Sequence, residues 1–368
     1  MKVLPRPPPA TLADRELLRT PWDFYKSIFK DYKADNQKLL DDCFEIDWSQ
    51  TKCEEKVIKG EGEVPKTKAI MKKYYQMIRE TYKYYAGVSP LGRIMCIGTG
   101  VLTEIMSYCN NFIDKETFML NDVDFNVIAC NGGMKATKLN PEKALVRCQM
   151  LEVIVRMSID KFVKSGIVKT VSEAVQMSME KHFAPFFETF NCHEFRTKKL
   201  WQEEMDVLFT RWLPGLEALY KKNCIKLAMP GVAKTPMCLD EFVDIFMVAG
   251  LVDDTFGLRQ IGPDFNLSMQ TVKDELKVET HLNMFFVEFL ECLARCADKF
   301  KMGNLVDHFP DYKSRNPYEL DKKTECLIVV LLEKHLPPKQ FEAIYKKYKE
   351  TVEAELKNPK ATKFAKRN

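Results

Sequence analysis

The chain carries two ordered series of similar segments, and this internal repeat constrains its fold more than any other feature. The tripeptide Asp124, Phe125, Asn126 recurs 140 positions later as Asp264, Phe265, Asn266. Residues 150–156 match residues 289–295 at a spacing of 139, and both segments contain the pattern Leu-Glu-x-x-x-Arg. Self-similarity at a nearly fixed spacing indicates a repeated structural unit. The sequence therefore predicts two copies of one module.

Further pairs of segments follow in the same order at spacings of 137 to 140, widening to 153 at the last pair. They are residues 103–105 with 240–242, 112–114 with 251–253, 160–162 with 298–300, and 180–182 with 333–335. These pairs place copy one at about residues 68–187 and copy two at about 205–345. The predicted domains are an N-terminal arm with a docking helix (1–67), module one (68–204), module two (205–350), and the end of the last helix with a basic tail (351–368).

Hydrophobic residues within each copy recur every three or four positions, which is typical of helices. The clearest segments are residues 72–85, 151–158, 290–297 and 341–356. Gly and Pro clusters at 87–90, 131–133, 140–141, 229–231 and 262–263 are expected to separate the helices. Asn140 and Pro141 are expected to begin one. Because alternating strand patterns are missing, the predicted fold class is all-α.

The two ends of the chain have a different character. Pro7, Pro8 and Pro9 predict an extended segment, and Trp22 is expected to open a helix that carries Phe24, Tyr25, Ile28 and Phe29. We expect Trp22 and Trp48 to dock on the chain's own core, with a partner protein as the alternative. The basic tail from Lys357 to Arg367 predicts solvated disorder or contact with an acidic partner.

Composition narrows the function classes. The longest apolar run, residues 327–332, is much shorter than the ~20 residues that span a bilayer, and residues 1–10 lack the apolar stretch of a signal peptide. We therefore expect a soluble intracellular protein. The net charge of +4 is weaker than the clustered basic excess of nucleic-acid-binding domains. The twelve cysteines are expected to be thiols, and no Cys–His cluster suggests zinc.

One glycine-containing segment suggests a nucleotide or adenosyl-methionine site. Residues 94–97 are mostly apolar, Gly98 and Gly100 follow, and Asp122 and Asp124 lie about 20 residues later, where a ribose-binding carboxylate would stand. The third glycine of that fingerprint is replaced by Thr103, and residues 234–241 of copy two contain no glycine. We therefore predict that this segment leads into a helix, and keep an enzyme of this type as the weakest alternative.

A second segment suggests a remnant calcium loop. Asp122, Asp124 and Asn126 have the spacing of the first three oxygen ligands of an EF-hand. Val127 takes the place of its glycine, and Gly133 takes the place of its final glutamate. We predict that this loop does not bind calcium and that the repeated Phe serves packing. A calcium-regulated adaptor remains an alternative.

No catalytic motif emerges from the remaining residues. The chain has five histidines, and His182 and His335 stand at corresponding positions before proline-marked helix ends. A cationic His is favourable at the carboxyl end of a helix, so we predict capping roles for both. No catalytic residue and no cofactor are predicted.

The order of an aromatic-rich helix, an Ile-Asp loop, an Asp-x-Asp-type loop and a Leu-Glu-x-x-x-Arg helix resembles degenerate EF-hand pairs. Such pairs occur in tandem in structural proteins of the ciliary and flagellar axoneme, including proteins inside doublet microtubules. The resemblance covers roughly residues 68–345. It implies two EF-hand-like helical modules in a non-enzymatic scaffold whose partners are tubulin or other axonemal proteins, with no nucleic acid or membrane partner.

Overall fold

The computed structural model describes residues 22–133, 136–224, 236–300 and 319–357. Helices account for most of these residues, so the predicted all-α class is confirmed. None of the helices within these ranges combines the length and apolarity needed to cross a bilayer. The proline segment at 7–9, the Gly-Pro cluster at 229–231 and the basic tail after Lys357 lie outside the described residues.

The first half of the chain contains eight regular helices and two short strands in its described part. They are α1 (Gln37–Ser49), α2 (Glu63–Val88), β1 (Ile97–Gly98), α3 (Thr99–Tyr108), α4 (Leu120–Asn131), β2 (Ala144–Leu145), α5 (Arg147–Ser158), α6 (Val171–Ser178), α7 (Ala184–Phe187) and α8 (Cys192–Phe195). Turns of π-helix follow α5, α6 and α8, and another at Cys53–Val57 precedes α2. The two strands pair in antiparallel orientation, with Ile97 opposite Leu145.

The second half contains six regular helices in its described part. They are α9 (Glu203–Asn223), α10 (Leu239–Val248), α11 (Leu258–Ser268), α12 (Phe286–Lys299), α13 (Leu320–His335) and α14 (Pro338–Lys357). A single antiparallel bridge joins Met237, before α10, to Met284, before α12. These two residues follow Ile97 and Leu145 of the strand pair by 140 and 139 positions.

The predicted helical segments form because their apolar side chains share one face. In α2, Tyr75, Ile78, Tyr82 and Tyr85 are all buried, and the helix ends at Val88, shortly before a proline that disfavours helical backbone in the residue preceding it. Helices α5, α12 and α14 likewise cover the segments predicted from 151–158, 290–297 and 341–356.

Three local predictions are wrong. Trp22 opens only one turn of 3₁₀-helix, Phe24–Lys26. Asn140 forms an isolated bridge with Thr137, and Pro141 follows it before β2, so neither residue begins a helix. The pair Gly262 and Pro263 lies inside α11, where contact with α2 favours the helical path despite the hydrogen bond that proline cannot donate.

The segment before α2 packs on the chain's own core, as predicted. Phe29 and Trp48 are buried. The indole nitrogen of Trp22 donates to Asp206 Oδ2 at 3.2 Å, and the backbone N–H of Ile28 donates to Asp206 Oδ1 at 2.8 Å. Since Asp206 belongs to α9, the N-terminal segment contacts the second half as well as the first.

The two halves share one continuous hydrophobic core. Helix α2 lies against α11 so closely that a Cβ atom on Gly87 would stand 2.4 Å from the carbonyl oxygen of Gly262. Nearby, the buried Arg147 of α5 donates to Asp47 of α1 at 2.7 Å and to Glu275 of the second half at 2.6 Å. Packing and buried charge therefore both link the halves.

The predicted domain boundaries can be compared with the observed ends of the helices. The predicted boundaries at 67/68 and 350/351 fall inside α2 and α14, and the boundary at 204/205 falls in the first turn of α9. Domain boundaries usually lie in flexible linkers and not within a continuous helix. The three helices concerned begin at Glu63, Glu203 and Pro338.

Candidate functional site

The remnant calcium-loop positions do not lie in a loop. Asp122, Asp124 and Asn126 belong to helix α4. Asp122 Oδ2 accepts a hydrogen bond from the backbone N–H of Met119 at 2.7 Å, at the start of the helix. The side chain of Asn126 is buried and donates to Asp160 at 2.8 Å, whereas Asp124 is exposed. The three side chains therefore serve different local roles, and the prediction of an Asp-x-Asp loop is wrong.

The matched Asp-Phe-Asn segments are also not structurally equivalent. Phe125 is 66% exposed, whereas Phe265 is fully buried and its ring packs against that of Phe242 of α10 in a tilted arrangement. The expectation that both phenylalanines serve packing is therefore wrong for Phe125. The hydrogen bonds at the starts of α4 and α11 give a better alignment of the two halves. In α4 the N–H of Met119 donates to Asp122, and in α11 the N–H of Gly257 donates to Gln260. These two bonds lie 138 positions apart.

The glycine-containing segment is a helix lead-in, as predicted. Gly98 ends a two-residue strand that is antiparallel to β2, and α3 begins at Thr99. A dinucleotide-binding turn instead follows a strand of a parallel sheet. Gly98 has an ordinary φ of −74°, and a Cβ atom at Gly98 or Gly100 would meet nothing within 4 Å. Neither glycine is thus required by the backbone or by a close neighbour.

The connections that precede the paired strands contain few possible calcium ligands. Residues 89–96, before β1, include no Asp or Glu, and residues 132–143, before β2, include only Glu142. In the corresponding connection before α12, Asp274 accepts from Gln50 at 3.0 Å and Glu275 accepts from Arg147. Ca²⁺ is bound by six to eight oxygens. The carboxylates of that second connection instead link the two halves of the protein.

The two predicted capping histidines join helices instead of serving as cations at their own helix ends. His182 Nδ1 lies 2.7 Å from the carbonyl oxygen of Asn110, just beyond α3. His335 Nε2 lies 2.9 Å from the carbonyl oxygen of Ile245 in α10. Burial lowers the pKa of both rings below the usual value for histidine. The neutral form, which can donate one ring N–H to the carbonyl, is therefore favoured.

The Leu-Glu-x-x-x-Arg pattern forms a buried ion pair in each half. Glu152 Oε1 accepts from Arg156 Nε at 2.8 Å, and Glu291 Oε1 accepts from Arg295 Nε at the same distance. Both glutamates are fully or almost fully buried. A buried carboxylate requires such partners because its desolvation is costly, so the repeated residues serve the architecture of each half.

A second basic residue contacts the glutamate of each pair, and sequence reasoning missed it. The second oxygen of Glu152 accepts from the backbone N–H of Lys52 at 2.9 Å, and that of Glu291 accepts from Arg196 Nε at 2.9 Å. Lys52 Nζ also donates to the carbonyl oxygen of Cys130 at the end of α4. Arg196 likewise donates to Leu267 near the end of α11.

Lys52 and Arg196 occupy similar places in the chain. Lys52 immediately precedes the π-helical turn Cys53–Val57, and Arg196 begins the π-helical turn Arg196–Leu200. Each turn lies shortly before the first long helix of a half. A basic residue at that position, paired with the glutamate of Leu-Glu-x-x-x-Arg, is the signal that could have revealed the contact.

The twelve cysteines are free, buried thiols. Burial raises the pKa of Cys53 to about 12, and desolvation raises the pKa of Cys292 and Cys296, which lie on one face of α12. The reactive form of cysteine is the thiolate. These side chains therefore behave as small apolar groups of the core.

Large apolar side chains remain exposed at similar places in both halves. In the first half, Tyr108 ends α3 and Leu120 begins α4, with 58% and 53% of their surface exposed. In the second half, Val248 ends α10 and Leu258 begins α11, with 63% and 46% exposed. We call these the first-half apolar pair and the second-half apolar pair. Exposed apolar groups that recur in this way are candidates for partner contact.

Comparisons with protein-family models, with curated proteins and with solved structures found no match for this chain.

Proposed function

We propose that this protein is a non-enzymatic scaffold of the ciliary or flagellar axoneme, in which two EF-hand-like modules bind tubulin or other doublet-microtubule proteins. The observation that carries the proposal is the recurrence of exposed apolar residues, the first-half and second-half apolar pairs, on two halves whose repeated charged residues are buried. Two similar surfaces suit a partner that itself repeats, because linked sites raise the effective concentration of the second contact.

The EF-hand-like part of the proposal is supported by the order of elements. In an EF-hand pair, two helix–loop–helix units are joined where their loops run antiparallel. Ile97 pairs with Leu145 in the first half, and Met237 pairs with Met284 in the second. In the first half the paired residues precede α3 and α5, the second and fourth helices of the series α2 to α5. In the second half they precede α10 and α12, the second and fourth helices of the series α9 to α12.

The scaffold part of the proposal is supported by what the repeated residues do. Glu152 and Glu291 each accept from a nearby arginine and from a preceding basic residue, inside the core. Such groups stabilise one arrangement of helices and are inaccessible to a substrate. The first-half and second-half apolar pairs are exposed, and exposed apolar groups of this kind favour contact with another protein.

Co-sedimentation with assembled microtubules and with isolated axonemes tests the proposal. The wild-type chain should pellet with them at near-physiological salt. Replacing one exposed leucine, Leu120→Glu or Leu258→Glu, should weaken binding, and the double variant should lose more than either single one. Ile167→Glu is the matched control, because Ile167 is similarly exposed and belongs to neither pair.

Two results would argue against this function. A wild-type chain that stays in the supernatant with both microtubules and axonemes would remove the axonemal proposal. A double variant that pellets as well as Ile167→Glu would show that the apolar pairs are not the contact surface. Circular dichroism of each variant would separate lost binding from lost folding.

A further inference from the structure

One face of helix α11 packs on the C-terminal half of α2. Gly262 of α11 meets Gly87 of α2 backbone to backbone. The side-chain amide of Asn266 donates to the carbonyl oxygen of Lys83 at 2.7 Å, and Lys83 Nζ donates to the carbonyl oxygen of Met269, just beyond α11. This contact joins the first helix of the series α2 to α5 to the third helix of the series α9 to α12.

The corresponding face of α4, the third helix of the first series, is exposed. The spacing of 138 between the starts of α4 and α11 places Asp124, Phe125 and Ile128 on this face, as counterparts of residues 262, 263 and 266. Each of the three is exposed, Phe125 by 66% and Ile128 by 65%. The other side of α4 packs on α3 and α5. We call these three residues the α4 face. It is a helix-binding face that no helix covers within the described part of the chain.

The first helix of the second series, α9, can be aligned with α2 at the same spacing of 138, because buried residues then coincide. The coinciding buried residues are Thr67 with Met205, Met71 with Phe209, Tyr74 with Trp212, Ile78 with Leu216, Thr81 with Leu219, and Tyr82 with Tyr220. This alignment makes Glu217 and Lys221 of α9 the counterparts of Arg79 and Lys83 of α2.

Exposure separates these counterparts. In α2, Arg79 and Lys83 are 2% and 6% exposed, because α11 and the segment after it cover them. In α9, the side chains of Glu217 and Lys221 are 45% and 71% exposed. Pro214 is also exposed, and it lies on the same side of α9 because seven residues make nearly two helical turns. We call Pro214, Glu217 and Lys221 the α9 face.

We propose that two copies of this chain associate, with the α4 face of one copy against the α9 face of the other. The chain makes the contact between a first and a third helix at α2 and α11, and it carries an uncovered counterpart of each of those two surfaces. A second copy supplies the missing partner for both. Tandem modules stack by repeating one interface, and a contact between two different faces is head-to-tail. The inference is independent of the axonemal role, because neither face includes the first-half or the second-half apolar pair.

The side chains of the two faces suit a wider helix spacing than that of α2 and α11. Asp124 stands at the position of Gly262, so the two backbones cannot approach as closely as they do at the glycine contact. Phe125 and Ile128 are large enough to fill the wider gap. They would meet Pro214 and the methylene stem of Lys221, since a lysine stem packs on apolar groups while its charge stays in water.

The charged residues of the two faces also fit this arrangement. Asp124 is the ionisable residue of the α4 face, and Lys221 is the cation of the α9 face. Lys221 Nζ lies 3.0 Å from Glu217 Oε2, so in the contact its ammonium group would stand between two carboxylates. A symmetric contact of two α4 faces would instead bring one Asp124 towards the other, which is why the α9 face is the better partner.

The mass of the full-length protein in solution, measured by sedimentation velocity without microtubules, tests this contact. The wild-type mass should exceed that of one chain, 42.8 kDa, and rise with concentration. Ile128→Asp and Lys221→Glu should each raise the dissociation constant about tenfold or more. The first change places a charge in the apolar area, and the second brings three carboxylates together.

Two variants are matched controls. Ile167→Asp changes an isoleucine that is 52% exposed and belongs to neither face. Lys198→Glu changes a lysine that resembles Lys221, because its side chain is 70% exposed and pairs with a glutamate four positions earlier. Both control variants should associate like the wild type.

An equal mixture of Ile128→Asp and Lys221→Glu shows whether the contact joins two different faces. The first variant keeps its α9 face and the second keeps its α4 face, so one intact contact can form between them. The mixture should therefore contain pairs of chains at concentrations at which each variant alone is a single chain.

A charge exchange remains decisive if Ile128→Asp does not fold, because it changes only exposed charged residues. Asp124→Lys alone should weaken association, and Asp124→Lys combined with Lys221→Glu should restore most of it. Four results would each overturn the proposal: a wild-type mass of one chain up to about 100 µM, a Lys221→Glu protein that associates like Lys198→Glu, a mixture that stays at one chain, or a double variant no stronger than Asp124→Lys. Microtubule co-sedimentation is independent of these assays, so the scaffold function and the self-association can fail separately.

Discussion

The closest approach between the two halves gives a sharp test of how they are held together. Gly87, in the last turn of α2, and Gly262 of α11 meet backbone to backbone. A Cβ atom at Gly87 would stand 2.4 Å from the carbonyl oxygen of Gly262 and 2.6 Å from the backbone nitrogen of Pro263. We predict that Gly87→Ala destabilises the protein because neither obstructing atom can rotate away.

The magnitude follows from the distance by which the helices must separate. A Cβ atom normally approaches no closer than about 3.4 Å, so the contact is short by about 1 Å. A gap of that size forfeits a quarter to a half of the dispersion energy across the affected surface, and overpacking typically costs about 1–3 kcal/mol. Alanine recovers up to about 1 kcal/mol of helix propensity. We expect a net loss of about 2 kcal/mol.

Urea unfolding followed by circular dichroism measures the effect as a lower midpoint with an unchanged slope. Gly262→Ala should behave similarly, since its Cβ atom would lie 2.1 Å from the carbonyl oxygen of Gly87. Gly100→Ala is the control: its Cβ atom meets nothing within 4 Å in α3, so it should stabilise by about 0.5–1 kcal/mol. A Gly87→Ala protein as stable as wild type would refute this account of the interface.

Three further predictions concern buried groups. Glu291→Ala should cost about 3–5 kcal/mol in the free energy of unfolding because it leaves two buried arginines without their carboxylate partner. Glu152→Ala should cost less, since the side chains of its basic partners are 14% and 21% exposed; equal urea midpoints would contradict this order. Burial raises the pKa of Glu288 to about 7, above its unfolded value of about 4.3, so the folded state binds the extra proton and stability should fall by about 2–3 kcal/mol as pH rises from 5 to 7.5. Unfolding at both pH values measures this loss, and Glu288→Gln should flatten it. Phe265→Ala should cost about 3–5 kcal/mol and Phe125→Ala close to nothing, as read from thermal unfolding; similar losses would restore the equivalence of the two residues.

Sequence reasoning succeeded where a structure depends on local periodicity. The stripes of α2, α5, α12 and α14 repeat every three or four residues, and a helix is the structure that brings such residues to one face. It failed where a tertiary contact overrides a local preference. Pro263 reads as a helix breaker, but α11 continues through it beside the closely packed α2.

The sequence could not predict which residues contact each other over long distances along the chain, for a different reason. Lys52 lies in the charged run Lys52–Lys56, which has the composition of a solvated surface, and nothing local indicates its contact with Glu152 100 positions away. Arg196 contacts Glu291 across 95 positions. The pattern becomes visible only when the two halves are compared. In each half a basic residue lies before the first long helix and contacts the glutamate of Leu-Glu-x-x-x-Arg.

The Asp-Phe-Asn match illustrates why identical letters are weaker evidence than matched helix phase. Its spacing of 140 differs by two from the spacing of 138 between the first hydrogen bonds of α4 and α11. Two residues turn a helix by about 200°, which carries a side chain from the core to the opposite face. The exposed Phe125 and buried Phe265 show that rotation. At a spacing of 138 the partner of Phe265 is Val127, which is also buried, so a comparison of the halves must be anchored on helix starts and burial.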